Sequence, residues 1–229
     1  MKRVLELPYS TPSTAVKYEF GITDLELDCY MEKIILAYNT LNHDGLGSKL
    51  LRKMMKRNVP GFCVEVKEAL KIMDLDENSE LLLKNGEKIR EELKKKIICI
   101  QKERLVKNML QESKSDRLLL HNFQFDGKAK RYLKELPFDE ARVVFMVRCR
   151  MLPTKDNFKG RWGSECNYCG SVESDVHLFS CVGYTDLLSG VRYDMFMNLD
   201  VSVDELSAGA KKLIHVKNRL ELFNTSDSR

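Results

Sequence analysis

The fold of the C-terminal part of this chain is decided by the stretch Cys166–Cys181, which reads CNYCGSVESDVHLFSC. A Cys-x-x-Cys turn closed by glycine directs two thiolates, those of Cys166 and Cys169, at one centre. After seven more residues come His177 and Cys181, whose separation of four places them on one face of a helix. Three thiolates and one imidazole fill a tetrahedron and leave no position for water, as in a structural zinc site. The spacing therefore predicts that these four residues bind one structural zinc ion.

Other interpretations of the cysteine cluster explain less. A redox-active Cys-x-x-Cys pair needs a βαβ context, which this sequence lacks. A chance cluster of buried thiols would need a local core, but the residues between the cysteines are polar: Ser171, Glu173, Ser174 and Asp175. A catalytic zinc is not expected, because the His-Glu-x-x-His pattern and the deaminase pattern are both absent. We therefore expect a metal that holds a polar loop in shape.

Composition indicates a globular protein inside the cell, without a membrane span. The 229 residues are 43% hydrophobic and 31% charged, which is too apolar for intrinsic disorder. No apolar run approaches the ~18 to 20 residues that cross a bilayer, and the N-terminus shows no secretory signal. Seven cysteines, an odd number, then predict reduced thiols rather than a disulfide framework. The nucleus or the cytoplasm is the expected location.

Hydrophobic periodicity predicts a mainly α fold, a helical bundle with a small C-terminal Cys-Cys-His-Cys zinc knuckle. Caps, prolines and glycines set the expected ends of the helices. The main predicted helices are Ser10–Gly21, Asp24–Leu41, Leu46–Lys56, Phe62–Met73, Glu87–Ser113, Pro137–Arg150, Thr185–Asn198 and Leu206–Phe223. Shorter helices are expected near Ser79–Leu83 and from Leu118. The apolar face predicted for the second helix consists of Leu25, Cys29, Ile34, Tyr38 and Leu41.

Charge is distributed unevenly along the chain. Between Lys128 and Arg161 there are ten basic residues and four acidic ones, whereas Cys166 to Ala210 contains one arginine and seven acids. Cations close to the cysteine cluster can contact phosphates, and an exposed aromatic side chain can stack on unpaired bases. The predicted nucleic-acid-binding residues are Arg142, Arg148, Arg150, Lys155, Lys159, Arg161 and Trp162.

Alternatives stay open for these residues. Apolar side chains alternate with arginines in the stretch 142–150, so some of the arginines only snorkel from a buried helix. Trp162 either stacks on a base or packs against the zinc turn. The lysine-rich helix Glu87–Ser113 presents either a solvated face with i,i+4 ion pairs or a face toward nucleic acid.

Three motifs, taken in order along the chain, resemble a known family. They are Leu136–Arg142 (LPFDEAR), Arg148–Phe158 (RCRMLPTKDNF) and the Cys-Cys-His-Cys cluster. Together they resemble the C-terminal region of reverse transcriptases from non-LTR (LINE-type) retrotransposons. Leu7–Val16 (LPYSTPSTAV), followed by Glu19–Gly21, is similar to the segment just after the polymerase core of that family, around the thumb. The resemblance spans most of the chain, up to about residue 184.

This resemblance implies an organisation in four parts and a role. Residues 1–60 correspond to a thumb-like helical segment and 61–160 to a helical connector with basic helices. Residues 161–184 are the zinc knuckle, and 185–229 are C-terminal helices with a frayed tail. In the family, this region helps to hold template RNA and target DNA during target-primed reverse transcription. The expected partners are therefore RNA or DNA, and a polymerase chain of the same element.

No catalytic residues are expected in this chain. The Tyr/Phe-x-Asp-Asp turn of the polymerase is absent, as are the phosphate-binding glycine loops and the Gly-x-Ser-x-Gly pattern. Only 48 residues follow Cys181, too few for a restriction-like endonuclease. We expect a detached or domesticated C-terminal piece that binds nucleic acid and is not an enzyme. The alternative is a protein-interaction module derived from such an element, with the acidic region after Cys181 as its contact surface.

Overall fold

The computed structural model of the protein describes residues 5–7, 11–75, 86–111, 125–158, 163–199 and 201–226. Over these ranges the chain forms nine α-helices, two short 3₁₀ helices and no β-strand, apart from an antiparallel bridge between Glu165 and Val172. The predicted mainly α fold with its Cys-Cys-His-Cys cluster is therefore confirmed. None of the described helices has both the length and the apolar character that crossing a membrane requires.

The α-helices are numbered in chain order. Their bounds are α1 Ser13–Phe20, α2 Leu25–Asn42, α3 Leu46–Lys56, α4 Phe62–Ile72, α5 Gly86–Gln111, α6 Tyr132–Glu135, α7 Phe138–Arg148, α8 Tyr193–Asn198 and α9 Val203–Ser226. The 3₁₀ helices are Lys155–Phe158 and His177–Phe179. Most predicted helices are found within a few residues of their expected ends. The short helices predicted near residues 79–83 and from residue 118 lie outside the described residues.

The helix predicted at Thr185–Asn198 is wrong over its first half. Only its end, α8, is helical, and the residues before α8 form successive turns. Backbone hydrogen bonds run from Leu188 N to Tyr184 O (2.9 Å) and from Val191 N to Leu188 O (2.8 Å). These three side chains are buried at intervals of four and three residues, as on a helix. Periodicity alone therefore does not separate these turns from a helix.

Contacts within the chain divide it into two units. Unit 1 contains residues 1–21, 108–124 and 128–229, and unit 2 contains residues 22–107 and 125–127. Helix α1 belongs to unit 1 because its Ala15 and Val16 are buried in one apolar cluster with residues of α7 and α9. The boundaries predicted at residues 60 and 160 do not coincide with this division.

Unit 2 is built from α2, α3, α4 and most of α5. Helix α2 packs against α3 and α4. On α5, Ile89, Leu93 and Ile97 are buried at intervals of four residues, and so lie on one face of the helix. The buried residues that α2 and α4 contribute to the same core include Leu27, Ile34, Val66, Leu70 and Met73.

The apolar face predicted for α2 is wrong in its N-terminal half. Leu25 is 77% exposed, and Cys29 is exposed as well. Leu27 and Met31 are buried in their place, two residues further along the chain. At about 100° per residue, this moves the buried face about 200° around the helix. Both sets of residues have helical spacing, so the packing of α3 and α4 decides which one is covered.

Helix α7 lies at the centre of unit 1. Its residues from Val143 to Arg148 are all buried, and it packs against α6, α8 and α9. A helix that is apolar on nearly every side is typical of a core element surrounded by other helices. The largest fully buried aromatic side chains around it are Tyr132, Phe145, Tyr184 and Phe196.

A buried ion pair joins α1 to α7. Arg148 Nε donates to Glu19 Oε1 at 2.9 Å, and the two side chains are 3% and 0% exposed. Glu19 Oε2 also accepts the Tyr132 hydroxyl at 3.0 Å. Arg148 Nη1 donates to the carbonyl oxygens of Phe196 and Met197, at 2.6 Å each. These carbonyls lie in the last turn of α8, where the helix leaves acceptors unused.

We predict that Arg148→Met strongly destabilises unit 1. The substitution leaves the Glu19 carboxylate buried without its cation, which typically costs about 3–5 kcal/mol in the free energy of unfolding. Urea denaturation monitored by circular dichroism measures this change. The control is Arg192→Met, which breaks an exposed pair with Asp194 (Nε to Oδ1 3.4 Å), and exposed pairs contribute about 0–1 kcal/mol. A loss below about 1 kcal/mol for R148M would show that the pair does not hold the unit together.

Candidate metal centre

The first two cysteines of the cluster lie on a tight turn. Cys166 N donates to Ser171 O at 2.7 Å, and Gly170 N donates to Cys166 O at 2.9 Å. Gly170 has a φ of 72°, in the left-handed region where a side chain is strained. This conformation reverses the chain immediately after Cys169. The turn thereby brings both thiols to one side.

His177 and Cys181 lie at the start of a 3₁₀ turn and just beyond its end. His177 N donates to Ser174 Oγ at 3.2 Å, and Ser180 N donates to His177 O at 3.0 Å. The α-helical placement predicted for the pair is wrong, because the 3₁₀ helix ends at Phe179 and Cys181 follows in irregular backbone. The tighter turn still directs the imidazole and the thiol toward one centre.

The four predicted ligand atoms form a compact cluster, all within 4.8 Å of one another. Cys166 Sγ is 3.6 Å from Cys181 Sγ, and Cys169 Sγ is 3.3 Å from His177 Nε2. Cys181 Sγ is 3.9 Å from Cys169 Sγ. These sulfur–sulfur separations exceed the ~2.05 Å of a disulfide, and all seven cysteines are free. A cluster of this kind can hold one metal ion.

Burial divides the ligands into an inner and an outer pair. Cys166 and Cys181, the inner pair, are 3% and 2% exposed, whereas Cys169 is exposed and His177 is half-buried. Hydrogen bonds with the backbone and the hydroxyl of Ser171 lower the pKa of Cys169. Desolvation raises the pKa of Cys181 to about 11. Without a metal, Cys181 therefore keeps its proton at neutral pH, and metal binding displaces that proton.

The metal centre is continuous with the core of unit 1. Leu178 lies between the ligands in sequence and is 1% exposed, in the same apolar cluster as Cys166 and Cys181. On the same turn, the ring centroid of Phe179 lies 6.0 Å from that of Phe196 in α8. The expectation of little local core is therefore wrong. The loop is polar in composition, but Leu178 and Phe179 pack into the core, whereas Val172 and Val176 stay exposed.

A close aromatic contact holds the Cys-x-x-Cys turn against the segment after Cys181. The rings of Tyr168 and Tyr184 meet edge to face, with centroids 5.2 Å apart and an interplanar angle of 76°. A Cβ atom at Gly183 would lie 2.2 Å from Cγ of Tyr168. Glycine is therefore required at this position for the turn to close.

Two buried carboxylates attach the chain before the cluster to the metal centre. Residues 152–157, which we call the strap, run beside the loop that carries the ligands. Asp175 Oδ1 accepts from Leu152 N at 2.9 Å, and its Oδ2 accepts from Asn157 Nδ2 at 2.8 Å. Glu173 Oε1 accepts from Lys155 N at 3.1 Å. Both acids are 2–3% exposed, so the strap is fixed by hydrogen bonds shielded from water.

The sequence analysis missed these two anchoring acids. Glu173 and Asp175 look like ordinary polar loop residues in sequence. The one available signal is indirect: irregular backbone after Pro153 leaves N–H groups that need acceptors once they are buried. The acceptors lie about twenty residues further on, at a distance that no local pattern reveals.

Two of the predicted nucleic-acid-binding residues are buried, and for them the prediction is wrong. Arg148 is 2% exposed and uses its charge on Glu19. Lys155 is 7% exposed, and its Nζ donates to Asn167 Oδ1 at 2.6 Å. The first is the cation of a core ion pair, and the second ties the strap to the Cys-x-x-Cys turn. Neither ammonium nor guanidinium group is left for phosphate.

The remaining predicted residues fall into two groups. Arg142 is partly exposed and pairs with Glu6, from Nη1 to Oε2 at 3.2 Å. Arg150 is half-buried and lines a cavity of about 70 Å³ together with Asp156 and Asp175. Lys159, Arg161 and Trp162 lie outside the described residues.

Comparisons of the chain with protein-family models, with curated proteins and with solved structures found no match. The metal centre therefore rests on the geometry of this chain alone. The resemblance to non-LTR reverse transcriptases stays a prediction, carried by the sequence motifs.

We predict that Cys169→Ser removes the bound metal. A serine hydroxyl does not replace a thiolate ligand at neutral pH, and the three remaining ligands leave the coordination incomplete. The metal-to-protein ratio, measured by plasma mass spectrometry after purification under reducing conditions, should fall from about one to near zero. Cys29→Ser is the matched control, because this exposed thiol lies outside the cluster and its loss should leave the ratio unchanged. Equal ratios for C169S and wild type would remove Cys169 from the ligand set.

Proposed function

We propose that the chain is a zinc-stabilised nucleic-acid-binding fragment, related to the C-terminal region of non-LTR retrotransposon reverse transcriptases. Its role would be to hold RNA or target DNA, alone or beside a polymerase chain of the same element, without a catalytic step of its own. The observation that carries the proposal is the Cys₃His cluster. The buried strap, which belongs to the basic stretch 128–161, is hydrogen-bonded to the loop that carries this cluster. The nucleus and the cytoplasm both keep thiols reduced and offer nucleic acid, which suits this role.

Zinc is the proposed ion because the ligand spacing fits a tetrahedron around it. Bonds of about 2.3 Å to sulfur and about 2.0 Å to nitrogen give edges of about 3.8 Å between sulfurs and about 3.5 Å between sulfur and nitrogen. Three of the six ligand distances, 3.6 and 3.9 Å between sulfurs and 3.3 Å between sulfur and nitrogen, lie close to these edges, and all six are within 4.8 Å. Thiolates also disfavour magnesium and calcium, which prefer oxygen ligands. With four protein ligands the ion would be structural.

The proposed contact residues are those of the predicted nucleic-acid-binding cations that are not consumed in the core. Arg142, in the first half of α7, and Arg150, two residues beyond its C-terminal end, are partly accessible. Lys159, Arg161 and Trp162 join the set from the sequence, because they occupy the short stretch between the strap and the first ligand. Guanidinium and ammonium groups bind phosphates without regard to sequence, and an indole ring can stack on an unpaired base.

A second candidate function is a protein-interaction module. The observation that favours it is the internal use of cations: Arg148 pairs with Glu19, and Arg142 pairs with Glu6. Fewer cations then remain for phosphate than the sequence offers. On this alternative, the acid-rich region after Cys181 binds a protein partner, and the complex should survive nuclease treatment.

We predict that the bound element is zinc and that it is lost on acidification. Metal binding requires three thiolates and a neutral imidazole, so protons compete with the ion, and occupancy falls as the pH decreases from about 7 to 5. The element and its amount are measured by plasma mass spectrometry after dialysis at each pH. A protein that carries iron instead, or that keeps its full metal content at pH 5, would contradict this assignment.

We predict salt-dependent binding of single-stranded RNA and duplex DNA. The test variant replaces Arg142, Arg150, Lys159 and Arg161 by glutamine. Each lost phosphate contact should reduce the slope of log affinity against log salt concentration by about 0.7 for single strands and about 0.9 for duplex DNA. Fluorescence anisotropy with labelled oligonucleotides of about 20 nucleotides, over about 50 to 200 mM salt, measures these slopes.

The charge-matched control for this experiment replaces four exposed cations elsewhere in unit 1. Lys134, Arg192, Lys211 and Arg219 are all exposed, and their loss lowers the net charge by the same amount. The control should keep the wild-type slope. If wild type binds neither nucleic acid at about 50 mM salt, the proposal fails, and recovery of a stable protein partner after nuclease treatment would then favour the interaction module.

A further inference from the structure

Helix α3 in unit 2 carries an unusual concentration of positive charge. The stretch 45–61 contains five cations, Lys49, Arg52, Lys53, Lys56 and Arg57, and not one acidic residue. Its charge of +5 exceeds the net charge of the whole chain, which is +4. All five side chains are exposed. The mild net charge of the protein therefore hides one strongly basic helix.

The opposite side of α3 is already covered by protein. Leu51 is 7% exposed, and Met54 and Met55 pack against the same core cluster of unit 2. Ser48 Oγ donates to Leu41 O at 3.1 Å, and Arg52 Nη2 donates to the same oxygen at 3.1 Å. Both bonds satisfy a carbonyl in the last turn of α2, which fixes α3 against that helix.

Three lysines line the outer face of α3. Lys49, Lys53 and Lys56 follow each other at intervals of four and three residues. At about 100° per residue, they fall within about 60° of one another around the helix axis. At about 1.5 Å per residue, they span about 10 Å along it. They therefore form a continuous basic ridge, which we call the α3 ridge.

Several acids of the two helices that pack on α3 are paired with other cations. On α2, Glu26 binds Arg104 (3.1 Å) and Glu32 binds Arg90 (3.0 Å). On α4, Glu65 binds Lys33 at 2.8 Å. In the part of the chain that the structure describes, no ion pair includes a lysine of the α3 ridge. Asp44 lines one surface cavity with Lys49 and Arg52, and even with this acid included the stretch 44–61 carries a charge of +4.

We infer that the α3 ridge is a docking surface for the phosphate backbone of a nucleic acid. A row of accessible lysines on a rigid helix neutralises successive phosphates and releases their counterions. An anionic membrane is the less suitable partner, because an interfacial helix must bury a continuous apolar face in the lipid. Leu51, Met54 and Met55 of α3 face the core of unit 2, which leaves only Leu46 and Leu50 as exposed apolar side chains of this helix. RNA and DNA share the recognised chemistry. The inference stands on unit 2 and is independent of the contacts proposed around the metal centre in unit 1.

The test compares wild type with the triple variant K49Q/K53Q/K56Q. The probes are labelled single-stranded RNA and duplex DNA of about 20 nucleotides or base pairs, and binding is measured by anisotropy between about 50 and 200 mM salt. The loss of three phosphate contacts, at ~0.7 to 0.9 each, should reduce the slope of log affinity against log salt concentration by about 2 to 3. Over this fourfold change in salt, wild-type affinity should therefore fall about 20 to 40 times further than that of the variant.

Two further variants separate charge from structure. K94Q/K95Q/K102Q removes three exposed lysines of α5, which lie among acidic residues of the same helix, and should keep the wild-type slope. K49R/K53R/K56R keeps the charge of the ridge and should restore binding if K49Q/K53Q/K56Q loses it. Circular dichroism verifies that each variant keeps its helix content.

The outcomes distinguish this inference from the proposed function. A flattened slope in K49Q/K53Q/K56Q, with rescue by K49R/K53R/K56R, supports the α3 ridge whether or not the variants of unit 1 change binding. Equal slopes for wild type and K49Q/K53Q/K56Q overturn it, even if the variants of unit 1 lose binding. Lysine-dependent binding to phosphatidylserine vesicles, with nucleic-acid affinity unchanged, also overturns it and makes the membrane the partner. Preference between the RNA and DNA probes tells which source of phosphate the ridge binds.

Discussion

A charged group inside a protein needs an opposite charge and hydrogen-bond partners, and in unit 1 the buried guanidinium of Arg148 has both. Its guanidinium has left water completely, so the loss of hydration is offset only by a carboxylate and by carbonyl oxygens in the correct positions. Burial alone would lower the pKa of Arg148, but the adjacent Glu19 raises it, and the side chain stays charged. Glu19 comes from α1, Tyr132 from α6 and the carbonyls from α8. Four helices, α1, α6, α7 and α8, are therefore held at one point.

The metal centre depends on the same core. Its two inner cysteines and Leu178 belong to the apolar cluster that α7 and α9 organise, and only one edge of the site faces solvent. The loop is therefore shaped from two directions, by the four side chains that converge on one centre and by the core beneath them. The carboxylates of Glu173 and Asp175 also anchor residues 152–157 to this loop.

Local sequence patterns predicted what depends on local geometry. The helices follow from periodicity and end signals, and the four ligands follow from their spacing, because both properties are set within a few turns of chain. What escaped prediction depends on partners far along the sequence. The acid that binds Arg148 is 129 residues away, so the arginine looked like a surface cation. Lys155 was misjudged for another reason: its partner Asn167 is only twelve residues away, but it lies in an irregular turn whose course periodicity does not predict. On α2, Leu25 and Leu27 lie on two helical faces that both look apolar, and only neighbouring helices choose between them.

The division of the ligands into an inner and an outer pair has a kinetic consequence. A chelator reaches the site only from the side of Cys169 and His177, because Cys166 and Cys181 are closed off by the core. Exchange of a bound metal would then begin with the dissociation of Cys169 or His177, while the two buried thiolates would still hold the ion. The outer pair would then set the rate at which the metal exchanges. The inner pair would set the affinity with which it is held. Affinity and lifetime of the bound ion are thus governed by different residues of the same centre.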